Sequence, residues 1–324
     1  MSTTTAHADT SPVVAALDIG GTKTSAALVD SSSSIVARVI GPTPAAAGAE
    51  ATLDAAARLV RALSDGRVPA VGALGVGTAG VVDPGSGRIL SSTDAISSWA
   101  GTDVGEGLRR RLGLSVAVDN DVHAHLLGEL TSGRAVGRSC VLLVAVGTGI
   151  GGSIAVDGRI HRGRGHVAGH VGHMPSTASS GVPCSCGGAD HVEAVASGPA
   201  LLRAYNGQAV GRGAETADTL EEVAERAAAG SDPLAAEVIS AGGTELGRLI
   251  GGLVNLLDPD LVIVTGGVSD CGPSWWTALL SAAQSGVLPP IRAASPIDRL
   301  VVKSILRADA PLLGAAQLAR ELAR

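Results

Sequence analysis

Phenylalanine is absent from this 324-residue chain, tyrosine occurs once, at Tyr205, and tryptophan three times, at Trp99, Trp275 and Trp276. Stacking platforms for nucleic-acid bases are therefore scarce, and Ala, Val, Leu and Ile must fill the core. Lysine is nearly missing too: Lys23 and Lys303 are the only two, and every other basic residue is a scattered arginine. With a net charge of -6, no basic footprint for a nucleic acid remains. No run reaches the ~20 uninterrupted apolar residues of a membrane span. Met1 to Pro12 is rich in Ser, Thr and Ala and lacks the apolar segment of a secretion signal. Cysteine is sparse, and two of the four, Cys184 and Cys186, lie close together. That usage suits a metal in a reducing compartment better than a disulfide framework. The expectation is a cytoplasmic protein with neither a nucleic-acid nor a membrane partner. Its 45% hydrophobic content is enough for one large domain or two ordinary ones.

What the chain does have is a repeated device. Leu17-Asp18-Ile19-Gly20-Gly21-Thr22-Lys23-Thr24 lies between the apolar runs 13–17 and 26–29, and Val146-Gly147-Thr148-Gly149-Ile150-Gly151-Gly152 lies between 141–146 and 154–156. In each, a buried-looking strand enters a Gly/Thr turn and leaves as a second strand. Glycine there lets backbone N–H groups approach a phosphate and allows positive φ cheaply, while threonine adds a hydroxyl donor. One such turn is weak evidence, because hairpins use glycine for geometry alone. Two copies about 130 residues apart point to a duplicated domain with a nucleotide held between the halves. Lys23 sits inside the first turn, where it suits a phosphate contact.

Around these turns the pattern is α/β. Strands are predicted over 13–19, 25–29 and 35–40, a helix over 50–64, strands near 70–76 and 115–118, and a helix from Val122 to about Leu130. The second half repeats the opening with strands 141–146 and 153–156, then departs through a Gly/His/Cys-rich insertion, 163–190. Helices follow over 193–205, 220–229 and 233–257, the last with Asp232 as N-cap and a proline at its first position. A strand over 261–265 ends in Gly266-Gly267, and an amphipathic helix covers about 310–322.

Five motifs, Asp18-Ile19-Gly20-Gly21-Thr22-Lys23, Val118-Asp119-Asn120-Asp121, the second glycine turn, Ala168-Gly169-His170-Val171-Gly172-His173 and Cys184-Ser185-Cys186-Gly187, stand in the order and spacing of the ROK-family sugar kinases. From Val13 to Arg324 the chain resembles that family. The resemblance implies an α/β protein of the actin-like ATPase (hexokinase-type) fold, two lobes around a nucleotide and sugar cleft. It implies an N-terminal lobe over 13–121 joined by the C-terminal helix 309–324, a second lobe over 122–308 with a zinc-binding insertion at 163–193, and a flexible tail before residue 13. The activity implied is ATP- and Mg²⁺-dependent phosphorylation of a hexose at its 6-hydroxyl, and a homodimer is compatible, since the family commonly forms dimers. ROK repressors carry a winged helix-turn-helix ahead of the first phosphate motif; only 17 residues precede Asp18 here, so a repressor is not expected.

By the same resemblance Asp121 is the catalytic base that takes the proton of the attacking hydroxyl as the new bond forms. An aspartate at a helix start is also an N-cap, and the two roles are compatible. Asn120 and the backbone around Gly80 would contact the sugar. Asp18 would help hold Mg²⁺ and the transferring phosphate, with Gly20, Gly21, Thr22, Lys23, Gly147, Thr148 and Gly149 around the phosphates. Gly266 and Gly267 would lie under the adenosine, although a Gly-Gly pair is also a common strand-to-helix turn. Glu193 matches a sugar-contacting glutamate, and Thr93-Asp94 stands where relatives reach the sugar. Cys184 and Cys186, with His173 eleven residues upstream, read as a zinc site, because two thiolates and an imidazole need one more ligand for a tetrahedron. Where the family carries a third cysteine this chain has His191, which leaves a structural Cys2His2 set; His173 is also placed to touch the sugar.

His170 is the departure that bears on substrate. In ROK glucokinases and N-acetylmannosamine kinases the position is a glutamate that grips hydroxyls at the anomeric end. A carboxylate accepts two hydrogen bonds, whereas neutral imidazole accepts one and donates one. Asp94 offers a partner for the ammonium of an amino sugar, or else is a solvated loop aspartate. An amino-sugar kinase is the expectation, resembling the kanosamine (3-amino-3-deoxyglucose) kinases of antibiotic pathways. A glucokinase, an N-acetylmannosamine kinase and a non-catalytic sugar sensor are the alternatives; Asp121 and both glycine turns favour an enzyme over a pure binder.

Overall fold

A computed structural model describes residues 13–64, 71–178 and 180–322. The expected tail before residue 13, and Ala70 at the start of the fourth predicted strand, lie outside the described residues. The chain forms two compact units, 13–132 with 308–322, and Gly133–Arg307.

In the first unit β1 (Val14–Ile19), β2 (Lys23–Val29) and β3 (Ile35–Pro42) form an antiparallel meander, and α1 (Gly48–Ser64) crosses to β4 (Ala73–Thr78). A small hairpin of β5 (Val81–Asp83) and β6 (Arg88–Ser91) follows, then α2 (Val104–Leu112), β7 (Ser115–Asn120) and α3 (Asp121–Ser132). Sheet order is β3-β2-β1-β4-β7, with β1, β4 and β7 mutually parallel.

The second unit opens with β8 (Val141–Val146), β9 (Ile150–Val156) and β10 (Arg159–Ile160). After the insertion come α4 (Val192–Ala196), α5 (Gly198–Gly211), α6 (Leu220–Ala228) and α7 (Pro233–Leu257), then β11 (Leu261–Thr265), α8 (Pro273–Gly286), α9 (Pro289–Ala294), α10 (Ile297–Leu300) and β12 (Val301–Lys303). Its sheet order, β10-β9-β8-β11-β12, repeats the first: an antiparallel meander whose first strand is extended by two parallel neighbours. The duplication read from the two glycine turns is thus a duplication of whole sheets. The last helix, α11 (Ala310–Leu322), packs in the first unit. Among the described residues no helix is long and apolar enough to cross a membrane.

Two expectations need correction. The lobe boundary drawn after residue 121 falls instead after Ser132, because α3 packs on α11: a Cβ on Gly128 would lie 2.1 Å from the carbonyl oxygen of Ala310, and one on Gly314 only 1.7 Å from that of Ala124. The helix expected over 193–205 is two helices, broken at Ser197, whose backbone is extended. Pro199 has no N–H and its ring would clash with the preceding turn, so it is tolerated only in the first turn of a new helix. The helices at 104–112 and 273–286 were not foreseen. The Asp232 cap is as expected, its Oδ1 accepting from Leu234 N and Ala235 N.

Glycine sets the helix spacing in the second unit. Gly243, Gly247 and Gly251 recur every fourth residue of α7 against α8, where a Cβ would lie 2.3, 2.2 and 2.9 Å from the carbonyl oxygens of Trp275, Leu279 and Ala283. Gly252 is exposed with nothing within 4 Å of its missing Cβ. Opposite outcomes are therefore expected in thermal or denaturant unfolding. Gly247→Ala destabilises by about 1–3 kcal/mol through overpacking, and Gly252→Ala stabilises by about 0.5–1 kcal/mol through helix propensity. Equal effects would contradict this packing.

Candidate active site

In the first unit the parallel register places Asp18 of β1, Gly77 of β4 and Asp119 of β7 side by side. Gly77 leaves room above the sheet: a Cβ there would lie 3.1 Å from the Ala124 Cβ and 3.5 Å from the Asp121 Cα. The first turn of α3 settles into that space and carries Asp121 toward Asp18. The N-cap of α3 is Asn120, not Asp121: Asn120 Oδ1 accepts from Val122 N at 2.9 Å and from His123 N at 3.2 Å. Asn120 Nδ2 donates to the Gly80 carbonyl at 3.0 Å, and the Asn120 side chain also hydrogen-bonds the Asp121 carboxyl. Asp121, at the first helical position, accepts from Val122 N through Oδ1.

Both carboxyls sit where charge is costly. Burial, and next the charge of Asp121, push the Asp18 carboxyl from 3.8 up to about 7, with Lys23 pulling it back. Burial also raises Asp121, against the Val122 N–H that favours its charged form. A half-buried pair of this kind accommodates a cation better than two negative charges, which is the fit expected of a Mg²⁺ held at Asp18. Thr93 and Asp94 are exposed, and the next residue, Ala95, lies against the first glycine turn, its carbonyl 3.1 Å from where a Cβ on Gly21 would stand.

None of Gly20, Gly21, Gly147 and Gly149 adopts a positive φ, so the conformational reason expected for them does not hold. Close neighbours require three of them instead. A Cβ on Gly20 would crowd the Lys23 carbonyl, which accepts the Gly20 N–H, and a Cβ on Gly149 would stand 2.7 Å from Glu193 Oε2. Gly147 faces open space, and Thr22, Lys23 and Thr148 are exposed. The carbonyl of Gly147 accepts from Gly198 N at 2.9 Å, which sets the N-terminus of α5 against the second turn. Reading α4 and α5 as one helix conceals that contact.

The His/Cys insertion rests directly on β9. A Cβ on Gly169 would lie 2.6 Å from the Gly152 carbonyl oxygen, and one on Gly172 would lie 2.0 Å from that of Ile150. His173, Cys184, Cys186 and His191 converge, all four donor atoms lying within 4.8 Å of one another. Cys184 Sγ is 3.7 Å from His173 Nδ1, and Cys186 Sγ is 3.3 Å from His191 Nδ1. Tetrahedral zinc, with bonds of about 2.3 Å to sulfur and 2.0 Å to nitrogen, separates an S and an N ligand by roughly 3.5 Å, so the set fits that ion. Glu193 joins this knuckle to the second turn, its Oε1 accepting from Ser185 Oγ at 2.6 Å and its Oε2 from Ile150 N at 2.8 Å. That bridge was not legible in the sequence. His170 Nδ1 donates to the Val167 carbonyl at 3.0 Å, and its ring faces that of His173 with centroids 6.3 Å apart.

Gly266 and Gly267 divide their work. Gly266, at φ +92°, lies under the end of β8, where a Cβ would be 2.3 Å from the Val146 carbonyl oxygen. Gly267 lines a pocket of about 400 Å³ with Leu220, Glu221 and Ala224 of α6, and with Asp270 and Gly272, a size that takes a nucleoside.

A sequence profile of the ROK family matches residues 14–322. The chain is 32% identical over 327 residues to a glucokinase of Streptomyces coelicolor, covering 94% of this chain and 96% of that one. It is 30% identical over 312 residues to an N-acetylmannosamine kinase of Escherichia coli O1:K1, covering 94% and 97%. Among solved structures it superposes with a TM-score of 0.80 on a ROK family glucokinase of Streptomyces griseus in complex with glucose and AMPPNP, at 30% identity over 95% of this chain and 99% of that one. The actin-like ATPase fold expected from the motifs is the fold of this chain.

The Asp18 carboxyl makes a measurable claim. It titrates near 3.8 when unfolded and near 7 in the folded, metal-free protein. Between those values only the folded state holds the proton, so stability falls as pH rises, and above about 7 the loss is complete. In buffer without divalent cations, the gain in Tm from Asp18→Asn is therefore expected to be larger at pH 8 than at pH 5. An equal gain at both would contradict it.

Proposed function

The chain belongs to the ROK family, and we propose that it is an ATP-dependent hexose kinase that phosphorylates the 6-hydroxyl of an amino sugar, kanosamine being the best candidate. The observation that carries the enzymatic reading is the pairing of Asp121 with Asp18. Asp121 stands at the first turn of α3 with its carboxyl raised by burial, which strengthens it as a proton acceptor. A binding protein has no use for such a group. Phosphoryl transfer is mostly positioning and charge neutralisation, and each group has a part in it.

Asp121 takes the proton from the sugar hydroxyl. Asn120, fixed by Gly80 and by its capping bonds, would contact the sugar beside Asp121. Asp18 would hold Mg²⁺, whose chemistry is to neutralise charge on the phosphates, while Gly20, Gly21, Thr22 and Lys23, and Gly147, Thr148 and Gly149, surround them. Gly267 and the α6 wall take the adenosine, with Gly266 as the floor. His173, Cys184, Cys186 and His191 would hold a structural zinc that pins the insertion carrying His170, and Glu193 ties that insertion to the phosphate turn.

Substrate choice rests on His170. The bond from its Nδ1 to Val167 directs Nε2 away as an acceptor in the neutral ring. One acceptor in place of the glutamate's two removes a partner for a sugar hydroxyl and so alters which hexose is held, and in this reading Asp94, in the exposed loop beside the first turn, would be the counter-charge to an ammonium. The relatives named as glucokinases favour glucose as the second reading.

Asp121→Asn is expected to slow turnover by about 10³-fold or more while leaving ADP affinity, measured by calorimetry, within about threefold. Near wild-type turnover would remove Asp121 as the base. Separately, His170→Glu is expected to shift the ratio of kcat/KM toward glucose over the amino sugar by about tenfold or more. An unchanged ratio would strip His170 of its role.

A further inference from the structure

Where β7 passes into α3, the chain closes a ring of hydrogen bonds around Asp121. Asp119 Oδ1 accepts from Asn120 N at 2.8 Å and from His123 Nδ1 at 2.9 Å. Asn120 Oδ1 accepts in turn from Val122 N and His123 N. The strand end and the helix start are thereby tied twice, once through the Asn120 side chain and once through the His123 side chain, with Asp121 between the ties. Both side chains of the Asp119–His123 pair are 2% exposed. Burying a carboxylate and an imidazole so deeply is unfavourable unless each is partnered, so neither is a solvated bystander. His123 has no place in the chemistry assigned above, and its ring is held too far inside to meet a sugar.

We propose that His123 is a positioning residue for phosphoryl transfer: through Asp119 it fixes Asn120 and the first turn of α3, and so the place from which Asp121 takes the proton. This rests on the reading of Asp121 as the base. Because Nδ1 faces a carboxylate oxygen it carries the hydrogen, and the requirement at position 123 is a donor at that atom. Asparagine supplies one in nearly the same place, its Nδ2 standing where the imidazole Nδ1 does. Leucine fills similar volume and supplies none. A displacement of about 1 Å at a reacting group costs on the order of 10²-fold in rate.

The test is steady-state kinetics of His123→Leu and His123→Asn beside the wild type and Asp121→Asn, with Tm for each. In His123→Leu the turnover rate is expected to fall by about 10- to 100-fold, with the sugar KM moving no more than about threefold. His123→Asn is expected to stay within about threefold of wild-type turnover. Should His123→Leu not fold, Asp119→Asn takes its place; it keeps the acceptor oxygen but not its charge, and turnover is expected to fall by about 3- to 10-fold. Wild-type turnover in His123→Leu, or equal losses in the leucine and asparagine variants, would overturn the proposal. An active Asp121→Asn would instead overturn the base assignment, so the two failures are distinct.

Discussion

Backbone pressed against backbone through glycine is the constraint on which the first unit depends. Gly75 and Gly77 alternate along β4 and so share one face of the strand. A Cβ on Gly75 would lie 1.7 Å from the Ala315 carbonyl oxygen of α11, and Gly77 leaves space for Asp121 and Ala124 of α3. The two helices meet over that face through Gly128 and Gly314 in the same manner. Any side chain at these points would lift α3 off the sheet, and with it the carboxyl of Asp121. The raised Asp18 carboxyl is the electrostatic consequence: burial first, and the nearby Asp121 second, disfavour its charge.

The two units share a sheet topology but not a chemistry. The first carries the carboxylates, and the second carries the open glycine turn, the nucleoside-sized pocket and the metal-fitting knuckle. In the second unit glycine again permits the approach, letting Gly169 and Gly172 lay the histidine insertion on β9. Glu193 then spans from the knuckle to the N–H of Ile150, so one carboxylate contacts both the insertion and the second glycine turn. Its place in sequence suggested only a sugar contact, yet each of its oxygens already has a partner within the protein.

Much of the fold was legible because it rests on local pattern: continuous apolar runs marked the strands, and Asp232 followed by Pro233 marked the start of α7. The convergence of His173, Cys184, Cys186 and His191 was legible because all four belong to one short insertion. What escaped depends on distance in space. Asn120 as the cap, Gly198 against Gly147, and the Glu193 bridge join segments far apart in the chain or differ by one residue in the helix start. The glycine turns show the limit most plainly: none of Gly20, Gly21, Gly147 and Gly149 has the expected positive φ, and close neighbours bear on three of them while Gly147 faces open space.

The proposed preference for an amino sugar rests on one altered hydrogen-bonding inventory, His170 in place of a glutamate. The most direct test is the rate of ADP formation by the purified wild-type protein with ATP and Mg²⁺ across glucose, mannose, glucosamine, N-acetylmannosamine and kanosamine. The account predicts that kcat/KM for an amino sugar with a free ammonium exceeds that for glucose by about tenfold or more. Glucose as the best acceptor would contradict the assigned specificity, and no ADP formation with any sugar would contradict the enzyme itself.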